Sequence, residues 1–401
     1  MILEIVLAMA LGVLSGIFTG LIPGIHVNLI SVLVISFSTL LLGWFSPLVL
    51  SIYILSLAIT HSFLDSLPSI YLGAPDEAQA LSVLPGHKLL QRGEGHNAIV
   101  CTVIGSFGAL LMGLGLFPVF ILGMGIIYPL IKAGIGYILI VVVAILIYRD
   151  KGKRLQSLYL FLISGVLGIL VFSIPNMNQP LFPMLSGLFG FSIMLVSLVQ
   201  KAVIPKQDFS IPLKLEAKGA LKAVTAASSV GFVAAFLPGF GNSQAAILAS
   251  SIIKDAKEET FLTLVGGINT ANMLISIGTA YALSKSRNGA ILAIRQLLDN
   301  IDFTNMILFL LIAVIVGGIA SVLAVVLSKV FSKFVSKVSY VKIILSIIVF
   351  VTVLTFIFDG FIGLIILITA TAIGLTASYL GVGKNHLMGS LILPVSLYFI
   401  L

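Results

Sequence analysis

The chain has 401 residues, 59% of them apolar and only 9% charged, with a mean hydropathy of +1.22. A soluble domain carries about 25% charged residues, so the composition excludes a soluble globular enzyme and requires a polytopic membrane protein. The net charge of +8 is explained first by basic cytoplasmic loops, so no nucleic-acid partner is expected.

Residues 1–42 read as a hairpin whose first helix carries Gly12, Gly16, Gly20 and Gly24 at every fourth position. Such a face lets backbones approach closely in lipid, where side-chain hydrophobicity gives no driving force. Pro23-Gly24 ends it, and broken backbone at membrane depth must be buried in protein or line a cavity. The N-terminus carries Glu4 and no basic n-region, so it does not read as a cleaved signal peptide. Residues 47–85 form a crossing interrupted at Pro68, Gly73 and Pro75, and simple helices are expected at about 97–122, 124–148, 157–174 and 181–200. Cys101, the sole cysteine, falls in an apolar run and can form no intrachain disulfide.

The order then repeats. Residues 220–253 form a second hairpin, with Ala227, Gly231, Ala235 and Gly239 at the same spacing and a break at Pro238-Gly239. A polar, broken crossing is expected over 261–300, followed by helices at about 304–328, 343–358, 361–381 and 386–401. The polar stretch 202–219 divides the halves. Of the 22 Lys and Arg residues, 18 fall in the connections 86–96, 149–154, 201–222, 254–259, 329–342 and around Lys384. Placing these in the cytoplasm orients every segment and leaves both termini extracytoplasmic. The expected fold is an all-α polytopic membrane protein of the cell membrane. It has two inverted repeats, 1–201 and 220–401, joined by a cytoplasmic linker; each has a broken re-entrant hairpin, an interrupted crossing and four transmembrane helices.

Polar residues stranded in apolar sequence define the candidate site. The substrate-binding candidates are Pro23, Gly24, His26, Asn28, Pro238, Gly239, Asn242, Ser243, Asn269 and Asn272. Broken helices offer N–H groups to anions and carbonyls to Na⁺, so Asn28, Asn242, Asn269 and Asn272 are also candidate Na⁺ ligands. Asn269 and Asn272 are three apart and share a helical face. His61, Asp65, Asp76 and Glu77 are the coupling or proton candidates, because ionisable groups at depth are costly. His61 and Asp65 are also spaced to pair on one face, and Asp76 and Glu77 to cap the helix after Pro75. His87, Lys88, Arg92 and His96 read as a solvated loop.

These residues carry a likeness. The Gly-x-x-x-Gly-x-x-Pro-Gly opening at Gly16–Gly24, its second copy at Gly231–Gly241, and Thr270-Ala271-Asn272 resemble the large permease subunit of the tripartite tricarboxylate transporter family. So does the stretch from Pro75 to Gly108, with Leu84-Pro85-Gly86-His87 and Arg92-Gly93-Glu94-Gly95-His96-Asn97-Ala98. The resemblance implies a cation-coupled transporter of carboxylates that works with a small membrane subunit and an extracytoplasmic solute-binding protein. The chain departs from the pattern at Tyr71–Glu77, where two carboxylates take the place of the family's Asn-x-Pro-Gly-Thr-Pro loop, at Ile277–Tyr281, and at His26 and Asn28.

The expected function is secondary transport of a small organic anion coupled to Na⁺ or H⁺, with no other cofactor. Na⁺ is favoured because neutral oxygens recur in both halves. Lipid is the surrounding medium, and a homodimer is compatible with this reading. Two other readings stand beside it. One is a transporter or flippase for a lipid phosphate such as polyprenyl phosphate. The other is an intramembrane enzyme, against which the chain has no His-Glu-x-x-His or Gly-x-Ser-x-Gly.

Overall fold

The computed structural model describes residues 2–22, 27–73, 77–132, 134–199, 205–236, 242–253, 257–284, 288–337 and 340–401. All regular structure among them is helical. The first half contains α1 (Ile2–Leu21), α2 (Val27–Ser36), α3 (Ser38–Leu41), α4 (Pro47–Leu64), α5 (Val83–Gln91), α6 (Gly95–Lys132), α7 (Ile135–Arg149), α8 (Arg154–Ser173), α9 (Leu181–Leu185) and α10 (Ser192–Val199). The second contains α11 (Ala217–Phe236), α12 (Asn242–Ile252), α13 (Glu258–Leu283), α14 (Gly289–Leu298), α15 (Phe303–Lys337), α16 (Tyr340–Leu380) and α17 (Gly389–Ile400). Among the described residues, seven helical spans are long and apolar enough to cross a membrane. The chain is a multi-pass membrane protein.

Lipid inverts the usual burial rule. The polar-dotted spans Pro47–Leu72 and Glu258–Leu283 are the most enclosed, 83% and 89% buried, while the apolar spans at Ile2–Leu21 and Ile344–Leu380 are only 22% and 28% buried. Side chains that need hydrogen-bond partners are held in the protein, and Leu, Ile, Val and Phe face outward where the solvent is hydrocarbon.

Small residues set the packing. α1 lies along α4, and a Cβ added at Gly12 or Gly16 would sit 2.6 Å from Ser56 or 2.5 Å from Thr60. The second small-residue ridge is used in the same way, on α13. A Cβ at Gly231 would meet Ala271 at 2.7 Å, and one at Gly267 would meet Ala227 at 2.8 Å. A close crossing joins α6 to α13, where Gly105 lies against the Thr263 carbonyl and Gly266 against that of Thr102. Ser106 Oγ donates to Gly266 O across it at 3.0 Å.

The first crossing is broken where its sequence says. Ser46 caps α4 by accepting from Val49 N, and Pro47 takes the first position, where its missing N–H costs nothing. After α4 the chain turns through a π-helical segment at Pro68–Leu72 and stops at Gly73, whose φ of 64° needs glycine. A 3₁₀ turn, Glu77–Ser82, leads into α5. In the second crossing the interruption comes late: α13 runs for 26 residues to Leu283, Ser284 sits in the left-handed region at φ 49°, and helix resumes as α14 at Gly289.

Three expectations change. The helix expected at about 97–122 continues to Lys132 as α6, and the next begins at Ile135 rather than near 124, since a break at membrane depth would expose unpaired backbone to hydrocarbon. The 83–91 segment is helix rather than loop; Pro85 stands in its first turn, where proline is tolerated. Residues 205–216 form no helix but are docked. Gln207 Oε1 accepts from Gly95 N at 2.8 Å, Gln207 Nε2 donates to Leu90 O at 3.0 Å, and Lys214 pairs with Glu94 at 2.8 Å.

Candidate functional site

The enclosed helices α4 and α13 bring their polar residues together. Asp65, one residue past α4, is 3% exposed. Its Oδ1 accepts from Gln79 Nε2 at 2.9 Å and its Oδ2 from Asn269 Nδ2 at 2.8 Å. Asn269 Nδ2 also donates to Ser62 O at 3.2 Å, tying α13 to the last turn of α4. Asn269 Oδ1 accepts from Asn242 Nδ2 at 2.9 Å, and Asn242 Oδ1 accepts from Asn272 Nδ2 at 2.6 Å. Asn242 is the first residue of α12 and follows the Pro238-Gly239 segment directly.

The chain has a direction. A carboxylate can only accept, so Asn269 must present its NH₂ to Asp65, which turns its oxygen toward Asn242. Each amide passes that orientation on, and Asn272 is left with Oδ1 at the head of the row. One further oxygen of the cluster, Gln79 Oε1, is buried without a partner among the described residues. The cluster therefore holds one carboxylate, a row of amide oxygens and one idle acceptor, a donor set suited to a hard monovalent cation.

His61 stands one turn before Asp65 on α4, and its Nδ1 meets Thr19 Oγ1 at 3.1 Å, joining α1 to α4 next to the first hairpin break. His61 thus bonds toward α1, and Asp65 toward α13 and Gln79.

Of the expected site residues, the structure gathers Asp65, Asn242, Asn269 and Asn272 into one hydrogen-bonded row, with His61 on its flank. Pro23, Gly24, His26, Asp76, Pro238 and Gly239 lie outside the described residues, as do the side chains of Asn28, Glu77 and Ser243. Sequence reasoning passed over Gln79 as a site residue. It stands 14 positions past Asp65 and beyond a π turn and a left-handed glycine, so no helical spacing links the two.

The solvated-loop expectation is corrected for His87, whereas Lys88 and Arg92 are exposed as expected. His87 is buried on α5 and its Nε2 has no partner among the described residues. Burial, helped by Lys384, pushes its pKa down to about 4. His96 Nδ1 meets Ser328 Oγ at 2.6 Å, while Lys88 and Arg92 both reach Glu258 at 3.5 Å. Lys384, grouped with the loop cations by sequence, is also buried.

The description "Tripartite tricarboxylate transporter TctA family" matches residues 6–389. The chain belongs to that family. An uncharacterized protein of Methanocaldococcus jannaschii is 30% identical over 412 residues, covering 100% of this chain and 99% of that protein. No solved structure matches the chain. Membership makes this TctA protein a permease of the tricarboxylate transporter type, and the all-helical, multi-span architecture agrees with it.

Proposed function

We propose that this TctA protein is a secondary active transporter of a small organic anion of the carboxylate class, coupled to a cation bound along the Asp65–Asn269–Asn242–Asn272 row. One observation carries the reading: a buried carboxylate on the first crossing is wired by amides to the helix that restarts after the second Pro-Gly break. Discontinuous helices near the midplane are where transporters of this kind coordinate substrate and ion. Na⁺ is the favoured ion. Asp65 would supply its charge, and Gln79 Oε1 and the Asn amides its remaining oxygens.

In the same reading the halves 1–201 and 220–401 are inverted repeats, each opening with a re-entrant hairpin. The equivalent use of small-residue faces, α1 on α4 and α11 on α13, supports this. The basic connections and the 202–219 linker are cytoplasmic, and both termini are extracytoplasmic. By the family name the assembly is tripartite, with a small membrane subunit and an extracytoplasmic solute-binding protein as partners. The protein is not an enzyme in this reading.

The test is uptake of a di- and tricarboxylate panel by proteoliposomes, with a Na⁺ gradient, with a pH gradient and with neither. Uptake driven by Na⁺ and abolished by Asn272→Ala is expected. Uptake indifferent to Na⁺ but stopped by collapsing the pH gradient would make Asp65 a proton carrier. Failure to move any carboxylate would overturn the proposal.

A further inference from the structure

An anion crossing a membrane protein needs positive charge inside it, and buried cations are scarce here. Lys384 is the one Lys or Arg among the described residues that is buried, at 8% exposure. It opens the 3₁₀ turn Lys384–Met388 between α16 and α17. Its Nζ donates to Ser192 Oγ at 2.6 Å, and Ser192 passes its own proton to Leu188 O at 2.6 Å, so the hydroxyl is a true acceptor. An ammonium has three donors, and two of them have no partner among the described residues. No carboxylate among those residues pairs with it.

The neighbour that feels this charge is His87, 4% exposed, with Nε2 unpartnered. That nitrogen lies 2.9 Å from where a Cβ on Gly73 would stand, so it abuts the broken end of the first crossing. Only glycine leaves room there. The Lys384 turn also packs on α12, which on its other contacts meets the Glu77–Ser82 turn that supplies Gln79. α12 therefore touches both the amide row and the basic cluster.

A buried ammonium without a counter-ion costs several kcal/mol. Burial registers in the protonation equilibria too: Lys384 is pushed down to about 7, and His87 to about 4 with Lys384 as the second cause. The nearby hydrogen-bonded pair, His386 Nε2 with Asp150 Oδ2 at 2.6 Å, is satisfied within itself and with Ser157. What the cluster lacks is an acceptor with negative charge.

We propose that Lys384, with Ser192 and His87 beside it, is the site that receives a carboxylate of the transported anion. The inference rests on the anion-transport reading above and assigns its substrate-side charge. Lys384 Nζ donates to the carboxylate with its two idle hydrogens, and His87 Nε2 donates once the anion is present. Gly73 keeps the approach open.

The experiment measures citrate and succinate binding by the purified full-length protein in detergent, by calorimetry, together with the ligand-free melting temperature. Wild type should bind. Lys384→Met should weaken binding by about 100-fold, the loss expected when one partner of a buried charge pair is truncated, and His87→Gln by about tenfold. The ligand-free melting temperature of Lys384→Met should hold or rise, because an uncompensated charge has been replaced by an apolar chain of similar volume. Lys384→Arg keeps the charge and should retain measurable binding. If Lys384→Met binds citrate as tightly as wild type, or melts earlier with unchanged affinity, the lysine is structural and the inference fails alone. If wild type binds no carboxylate of the panel, the transport reading itself fails and takes the inference with it.

Discussion

Replacing Asn269 by alanine removes the hub of the polar row, and its cost can be worked from the bonds it makes. The amide donates to Asp65 Oδ2 at 2.8 Å and to Ser62 O at 3.2 Å, and accepts from Asn242 at 2.9 Å. Neutral hydrogen bonds between membrane helices average about 0.6 kcal/mol and reach about 1.7. A bond to a charged group contributes about 1.5–3 kcal/mol. Two neutral bonds and one charge-assisted bond give about 3 kcal/mol for Asn269→Ala. Asp65→Asn keeps the shape but offers one oxygen to two NH₂ donors, so it should cost about 1.5–2 kcal/mol by forfeiting one of them. The two substitutions strike the same bond. The double variant should therefore fall short of the sum by about 1.5 kcal/mol, well above the ~0.5 kcal/mol scatter of independent sites. The assay is reversible unfolding in mixed micelles, followed by circular dichroism. Costs that add within about 0.5 kcal/mol would show that Asp65 and Asn269 do not interact, and the row would lose its anchor.

The α6–α13 crossing separates two glycines of one helix. Gly105→Ala forces a methyl into the Thr263 carbonyl and should lower stability by several kcal/mol or prevent folding, whereas Gly115, with nothing within 4 Å of an added Cβ, should gain about 0.5–1 kcal/mol on change to alanine; equal thermal shifts would refute the packing. His87 is held neutral, so its stability contribution is present above 6.5 and is lost as pH falls toward about 4, by about 3 kcal/mol in all. Lys384 adds a slope of the same sign between 10.5 and about 7. Melting temperature against pH should therefore flatten between 6.5 and 4 in His87→Gln, and an unchanged slope would place the acid sensitivity elsewhere. Single cysteines at Ser173 and Lys151, introduced in a Cys101→Ser background, should label from opposite sides of the membrane; equal external labelling would refute the charge-based orientation.

Much of the fold was legible because its causes are local. The four-residue spacing of Gly12, Gly16 and Gly20, and of Ala227 and Gly231, is a property of helix geometry alone. The structure uses both ridges to seat one helix on another. Pro68 and Gly73 announced the broken crossing for equally local reasons, a missing N–H and a left-handed φ. The misread boundaries also have physical causes. The boundary expected near 122–124 falls instead after Lys132: broken backbone can be solvated in water, but hydrocarbon offers no such partner, so α6 stays helical.

The site was legible only where its residues share a helix. Asn269 and Asn272 declared themselves by their spacing, and Asn242 by following a Pro-Gly break. Asp65 was singled out as a costly charge, but its partnership with Asn269 spans 204 positions and that of Gln79 crosses two breaks. The basic residues show what a charge count leaves out. Positive-inside reasoning counts every Lys and Arg as a loop cation, and it treats Lys384 like Lys151. Yet Lys151 is exposed whereas Lys384 is folded under the last helices against Ser192. The charge count puts Lys384 in a connection, and the structure agrees, between α16 and α17; the count does not tell a buried connection from an exposed one. That burial, with no carboxylate paired to the ammonium among the described residues, makes Lys384 the cation to test first.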